Sequence, residues 1–266
     1  MTLTDALGRT VPLNVSPRRI VSLVPSLTEY LFAIGAGDRL VGVTDYCIEP
    51  AELVATLPKV RGTKNPDREM IRALQPDLLL ASKEENRQRD ITTFETANIP
   101  VYVTDIRSVV GAVTQLGVLA TVLEAEAAAV PLLDAIRAAL VEVRTRSLTR
   151  RTLTFIWRDP WMAVGGATYA DDLLRLCGAE NVALHLGGRY PRATLEEFMR
   201  LGPEVILLPD EPYRFTEADR AAFAPFAKVP AAHAQRIHLC DGMLLTWYGP
   251  RTVAALRLFQ ELLSEF

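Results

Sequence analysis

The sequence predicts an α/β fold made of two similar lobes, each built on a parallel sheet, and three observations carry that expectation. The first is Arg19 to Val43, RIVSLVPSLTEYLFAIGAGDRLVGV, which reads as strand, turn, helix, turn, strand within one compact βαβ unit. The second is a repeat: Asp67 to Leu80, DREMIRALQPDLLL, matches Thr194 to Leu207, TLEEFMRLGPEVIL, in kind and spacing. The third is a helical stretch from Ser108 to about residue 146 lying between the two copies. Together they divide the chain into an N-terminal α/β lobe at 1–107, a connecting helical segment with a long backbone helix at 108–146, and a C-terminal α/β lobe at 147–266. The expected architecture is two Rossmann-like lobes joined by a single long helix, with a ligand cleft between them.

Taken in order, the first residues set short apolar pairs around Asp5 and Gly8-Arg9, a hairpin or edge ribbon leading to Pro17. Ile20 to Val24 is an apolar run interrupted by Ser22, the pattern of a parallel strand covered on both faces. Ser26 stands three residues before Glu29, a predicted capping box for a helix through Ile34, and Gly35 fits its left-handed stop. Leu40 to Val43 is the second strand. Thr44 to Thr63, with Tyr46, Cys47, Pro50 and Pro58, is a polar connection of a length that often serves function. Asn65-Pro66-Asp67 then opens a helix to Leu74, and Pro76 stops it. Leu78 to Ala81 and Val101 to Val103 follow as strands, and between them Lys83 to Asp90 is a charged loop or the start of another helix that ends near Asn98.

In the connecting segment Leu132, Leu133, Ile136, Leu140 and Val143 share one helical face, and Pro131 predicts a break or kink near 124–130. A helix of about 20 residues spans about 30 Å, enough to reach from one lobe to another. In the second half Leu153 to Ile156 stands where Ile20 to Val24 stood. Leu174 to Ala179 echoes the helix stop at Leu31 to Ala36, and Ile237 to Asp241 echoes Val101 to Asp105.

Composition narrows the function. A net charge of −3 over 266 residues, with both signs interspersed, gives no polyanion-binding signature, so nucleic acid is excluded as a partner. No apolar run approaches the roughly 20 residues that span a bilayer. The start, MTLTDALGRT, lacks the basic and apolar segments of an export signal. Three widely spaced cysteines, Cys47, Cys177 and Cys240, suggest neither a disulfide framework nor a C-x-x-C site.

Ligands of open parallel sheets bind beyond the carboxyl ends of the strands. In this chain those loops are Pro25-Ser26, Thr44 to Cys47, Ser82 to Glu85 and Asp105 to Ser108, then Trp157 to Trp161, Gly187 to Pro191, Pro209 to Arg214 and Asp241 to Tyr248. They hold all three tryptophans, Trp157, Trp161 and Trp247, with Tyr46, Tyr190, Tyr213 and Tyr248. That much aromatic area suits a large, flat, apolar ligand. Tyr46, Trp157, Tyr190 and Trp247 are the expected stacking residues, with Asp241 and loop backbone groups for orientation. Other chemistry falls away. Gly35-Ala36-Gly37 ends a helix where a dinucleotide fingerprint would open one. His185, His233 and His238 lack the spacing of a zinc site, and no serine sits in a Gly-x-Ser-x-Gly elbow. Neither a catalytic group nor a metal site is predicted.

These segments also carry a family likeness. RIVSLVPSLTEYLFAIGAGDRLVGVTDYC, the Asp67 to Leu80 segment, LLRLCGAENV and WYGPRT resemble the ABC-transporter solute-binding proteins with a helical backbone, periplasmic binding proteins for cobalamin, siderophores and haem. The cobalamin-binding members are closest, and the likeness runs from Arg19 to the C-terminus. It implies a monomer, periplasmic or extracellular and facing the membrane, that captures a small-molecule metal chelate and delivers it to an ABC-transporter permease. The implied ligand is cobalamin or another corrinoid, and no cofactor is implied. The alternatives are a ferric-siderophore or haem-binding protein, and an intracellular corrinoid-binding protein or enzyme without a transporter, which the missing export signal would suit.

By that resemblance Tyr46 and Tyr190 occupy aromatic positions lining the corrin site, Trp157 another, and Asp241 a polar contact. Arg61 and Ser82 stand where a tryptophan is expected. Arg158, Arg189, Arg192 and Arg87 would instead suit a carboxylate or catecholate siderophore. Glu69 and Glu196, at the starts of equivalent helices, take the positions that dock onto permease arginines. The alternative is that both simply complement a helix dipole.

Overall fold

The structure, a computed structural model, describes residues 2–13, 16–143 and 149–264. It opens with the antiparallel hairpin β1 (Thr2–Thr4) and β2 (Thr10–Pro12). The first βαβ unit is β3 (Ile20–Ser22), α1 (Pro25–Ala33) and β4 (Leu40–Val43), with the strands paired in parallel. Then come α2 (Ala51–Val54), the small antiparallel pair β5 (Arg61–Gly62) and β6 (Asn65–Pro66), α3 (Arg68–Ala73), β7 (Leu78–Ser82), α4 (Gln88–Thr96) and β8 (Val101–Thr104). Two longer helices follow, α5 (Val109–Val122) and α6 (Glu126–Val143). The second half holds β9 (Arg150–Trp157), β10 (Met162–Ala163), α7 (Tyr169–Leu176), β11 (Ala179–Asn181), a 3₁₀ turn at Val182–Leu186, α8 (Leu195–Arg200) and β12 (Val205–Pro209). After a second 3₁₀ segment, Glu217–Phe226, come α9 (Pro230–His233), β13 (Ile237–Cys240), α10 (Gly242–Thr246) and α11 (Thr252–Ser264).

The chain divides into two compact units: Met1–Ile106 with Val110–Asp134 and Tyr248–Pro250, and Arg107–Val109 with Ala135–Trp247 and Arg251–Phe266. The division falls inside α6, and residues 144–146 of the expected connecting segment lie outside the described residues.

The first unit's parallel sheet runs β4-β3-β7-β8. All residues of β3, β7 and β8 are buried, as expected of strands covered on both faces. Alternate residues Val21, Leu79, Ala81, Val101 and Val103 form one core with Ile71 of α3 and with Phe94 of α4. In the second unit β9 pairs with β11 and β12, and β12 with β13, all in parallel, so the order β11-β9-β12-β13 repeats that of the first sheet. The short β10 adds an antiparallel edge to β9. Phe198, fourth residue of α8 as Ile71 is of α3, packs edge-on against Phe155 of β9 with centroids 5.1 Å apart.

The internal repeat is therefore real in three dimensions. The side chain of Asp67 accepts from Met70 N–H, and that of Thr194 from Glu197 N–H, so each repeated helix opens on the same side-chain cap. After each helix comes a residue at positive φ, Gln75 at 47° and Gly202 at 62°, before Pro76 and Pro203 redirect the chain into β7 and β12.

One local expectation is corrected and one is met by another cause. Ser26 and Glu29 do not form a capping box: α1 starts at Pro25, with Val24 as an N-cap that makes no side-chain hydrogen bond. Proline's missing N–H and fixed φ suit the first helical position, which displaces the serine inward, where it is buried. The expected helical break near 124–130 is present, although Pro131 itself lies inside α6. It comes at Glu124, whose φ of 51° closes α5 with Glu124 N–H donating to Thr121 O and Ala125 N–H to Ala120 O. Arg39 donates to Leu123 O at 2.8 Å and satisfies another terminal carbonyl. Gly35 behaves as predicted, with φ 71° and the same paired bonds to Phe32 O and Leu31 O.

Candidate functional site

In the first unit the loops at the carboxyl ends of the strands are knitted by a residue that the sequence reading passed over. Asn86, nearly fully buried, accepts from Ser82 N–H at the end of β7 and donates to Thr63 O and to Leu23 O just beyond β3. It is the uncharged member of the run Lys83-Glu84-Glu85-Asn86-Arg87, the one signal that set it apart. Ser82 is buried and turns its hydroxyl to Glu84 N–H.

Tyr46 leaves β4 on a turn in which Cys47 N–H donates to Thr44 O, and Lys59 donates to Cys47 O at 2.9 Å. The ring is 58% exposed and lies over Gly62, where an added Cβ would come within 3.2 Å of it. Arg61 is drawn into an ion pair with Asp67, the N-cap of α3. Neither Arg61 nor Ser82 adds aromatic surface beside Tyr46.

In the second unit Trp157 ends β9 and is 42% exposed. Its neighbours turn inward: Trp161 packs 4.7 Å from Phe155 and stacks on Phe215. Arg158 is committed to Asp219 and lies over the Trp161 ring. Burial works against the Asp219 carboxylate, but hydrogen bonds from Thr216 and Arg158 outweigh it and hold the group below its ordinary value. Tyr190 is 37% exposed, with the Arg189 guanidinium 5.9 Å from its ring centroid. Its segment is laid against β10 and the residues beyond, since Ala163 N–H donates to Pro191 O and Gly165 N–H to Arg189 O.

Asp241 is the N-cap of α10, accepting from Met243 N–H and Leu244 N–H through Oδ1. Asp210, just past β12, accepts from Gly242 N–H at 2.8 Å, which joins the loops after β12 and β13. Only glycine fits there, because a Cβ at Gly242 would lie 2.6 Å from Glu211 O. Burial pushes the Glu211 carboxyl up, opposed by the Trp247 indole that donates to it. Trp247 itself is buried at the end of α10, with Arg251 5.2 Å from its ring centroid. Of the four aromatic residues expected to stack on a ligand, the structure thus exposes Tyr46, Trp157 and Tyr190 and packs Trp247 inside.

Glu69 and Glu196 are both exposed, and each is the second residue of its helix. Neither carboxylate serves a cap: Asp67 makes the first, Thr194 and Glu197 the second. Among the described residues, no group of three or more His, Cys, Asp or Glu is placed to hold a metal ion, and no helix is long and apolar enough to cross a membrane.

This arrangement has relatives. A vitamin B12-binding protein of Yersinia pestis is 30% identical over 193 residues, covering 71% of this chain and 69% of that one. The crystal structure of the periplasmic vitamin B12 binding protein BtuF of Vibrio cholerae matches with a TM-score of 0.83 at 21% identity, over 94% of this chain and 97% of that one. The periplasmic heme-binding protein RhuT from Roseiflexus sp. RS-1 matches with a TM-score of 0.80 at 23% identity, over 92% and 97%. The two structural likenesses establish a shared fold. The profile of the periplasmic binding protein family matches residues 20–240, which takes in both parallel sheets. The chain belongs to the periplasmic binding protein family.

Proposed function

We propose that this protein captures cobalamin or another corrinoid, holds it without turnover and delivers it to an ABC-transporter permease. The observation that carries the reading is the exposure of Tyr46, Trp157 and Tyr190 on loops where the two parallel sheets present the carboxyl ends of their strands. Exposed rings on rigidly anchored loops gain most from a flat, conjugated ligand. The state of the arginines also favours a corrinoid over an anionic siderophore. Arg158 is neutralised by Asp219, and Arg189 donates to Ala167 O while lying beside Tyr190. A catecholate or carboxylate ligand would have to compete for both. The name of the Yersinia relative points the same way.

Delivery rests on Glu69 and Glu196. Each is exposed, occupies the same helical position in its unit and is spared from capping, which leaves both carboxylates to meet arginines of a permease. This role requires a periplasmic or extracellular location, and we take the working unit to be a monomer.

Native mass spectrometry of the purified chain, after incubation with an equimolar mixture of cyanocobalamin, haem and a ferric catecholate, tests the ligand. Retention of one cyanocobalamin, recovered chemically unchanged, is expected. Retention of the siderophore or haem alone would replace the corrinoid, and a modified corrinoid would make the protein an enzyme.

A further inference from the structure

Trp157 does not stand alone. Its ring lies 5.7 Å from that of Tyr213, at 68° between the planes, so the two rings meet edge to face and form an open corner. Tyr213 belongs to the loop after β12, a different segment of the second unit, and is half-buried. Behind it the rings continue inward without a gap: Tyr213 to Phe215 at 4.7 Å, Phe215 to Trp161 at 6.1 Å, and Trp161 to Phe155 in the core at 4.7 Å. Phe215 N–H donates to Pro209 O, and Asp210 is tied to Gly242, so both ends of the loop are held. Two of the charged groups nearby are already engaged: Arg158 pairs with Asp219, and Glu211 accepts from Trp247.

A pair of rings at nearly right angles, backed by a rigid aromatic stack and open at the Trp157 end, offers contact to two sides of a flat group at once. We propose that Tyr213 is a further ligand-contact residue, which with Trp157 forms an aromatic corner that seats the edge of a conjugated macrocycle. The proposal rests on the ring-ligand reading above, and Tyr213 adds to it a second loop and a hydroxyl that can meet a polar substituent at the ring's edge.

The test is calorimetric titration with cyanocobalamin, and with haem in parallel, of wild type, Tyr213→Phe, Tyr213→Leu, Trp157→Leu and the double variant Tyr213→Leu/Trp157→Leu. Tyr213→Phe keeps the ring and should bind within about twofold of wild type, while Tyr213→Leu should weaken binding about three- to tenfold. The loss from Tyr213→Leu should shrink in the Trp157→Leu background, because half the corner is already gone. Hydroxyl-radical footprinting of the wild type supplies a readout that needs no variant to fold. Tyr213 and Trp157 should both be protected by cyanocobalamin. Wild-type affinity in Tyr213→Leu, or equal labelling of Tyr213 with and without ligand, would overturn the proposal alone. A wild-type chain that binds neither cyanocobalamin nor haem would overturn the ring-ligand reading and this proposal with it.

Discussion

Arg19 and Asp77 hold each other reciprocally: Arg19 N–H donates to Asp77 Oδ1 at 2.8 Å, and Asp77 N–H donates to Arg19 O at 2.9 Å. The guanidinium of Arg19 then donates to Leu74 O and Gln75 O, carbonyls at the end of α3. The second unit repeats this joint. Arg151 N–H donates to Glu204 Oε2, Glu204 N–H donates to Arg151 O, and the Arg151 guanidinium reaches Leu201 O. Each helix that carries a candidate docking glutamate is thereby capped at its C-terminus by an arginine at the start of the strand whose far end leads into the candidate ligand loops.

Because Asp77 accepts from both Arg18 N–H and Arg19 N–H, Asp77→Ala should destabilise the first unit by about 1 kcal/mol, discounted for exposure. Arg19→Ala should cost less and should speed amide exchange at the C-terminal turn of α3. Urea unfolding followed by exchange mass spectrometry checks both, and unchanged exchange in Arg19→Ala would show that the joint does not hold the helix.

Glu196 and Glu197 are neighbours with different duties. Glu197 closes a capping box with Thr194, and hydrogen bonds from the Thr194 backbone and hydroxyl hold its carboxyl below the ordinary value. Glu197→Ala should lower the midpoint of thermal unfolding, whereas Glu196→Ala and Glu69→Ala should leave it in place. The same two variants should abolish stimulation of the permease's ATPase while leaving ligand affinity intact. Lost affinity would put these glutamates at the ligand instead.

The depressed Asp219 group makes a pH prediction. A carboxyl whose folded value lies below its unfolded value, about 3.9, contributes stability that is complete above that value and is lost as the pH falls through the folded one. Asp219→Asn should therefore be less stable than wild type at pH 7, and the difference should narrow below about pH 4. Denaturation curves at pH 7 and pH 3 measure it, and a constant difference would mean that the bonds from Thr216 and Arg158 do not hold the carboxyl below its ordinary value.

The thiols should be silent. Burial pushes Cys177 and Cys240 up to about 12 and also raises Cys47, whose sulfur sits between Thr28 and Thr44. Ellman's reagent at pH 8 should therefore titrate none of the three in the native protein within minutes and all of them in guanidinium. Rapid native labelling would contradict this.

The sheets and their repeat were legible because unbroken apolar strands, Pro-acid turns and helix stops are local signals, and both halves display them at the same spacing. Ser26 misled because a proline at the preceding position already satisfies the helix start. The break near 124–130 was placed correctly, but its cause is the left-handed residue Glu124 and not Pro131, which α6 accommodates. At the site, residue type located the aromatic loops, but burial separates Trp157 from Trp247, and burial depends on which segments pack together. Asn86, Tyr213 and the Arg19 and Arg151 joints depend on partners far away in sequence, which single-sequence reading does not supply.

Uptake of a corrinoid by the exposed aromatic loops is tested by titration with cyanocobalamin, followed by tryptophan fluorescence and calorimetry. Of the three tryptophans, Trp157 is the exposed one, while Trp161 packs on Phe155 and Trp247 is buried. Saturable binding near one to one is expected, with quenching that Trp157→Phe largely removes. No heat and no saturable quenching would contradict it.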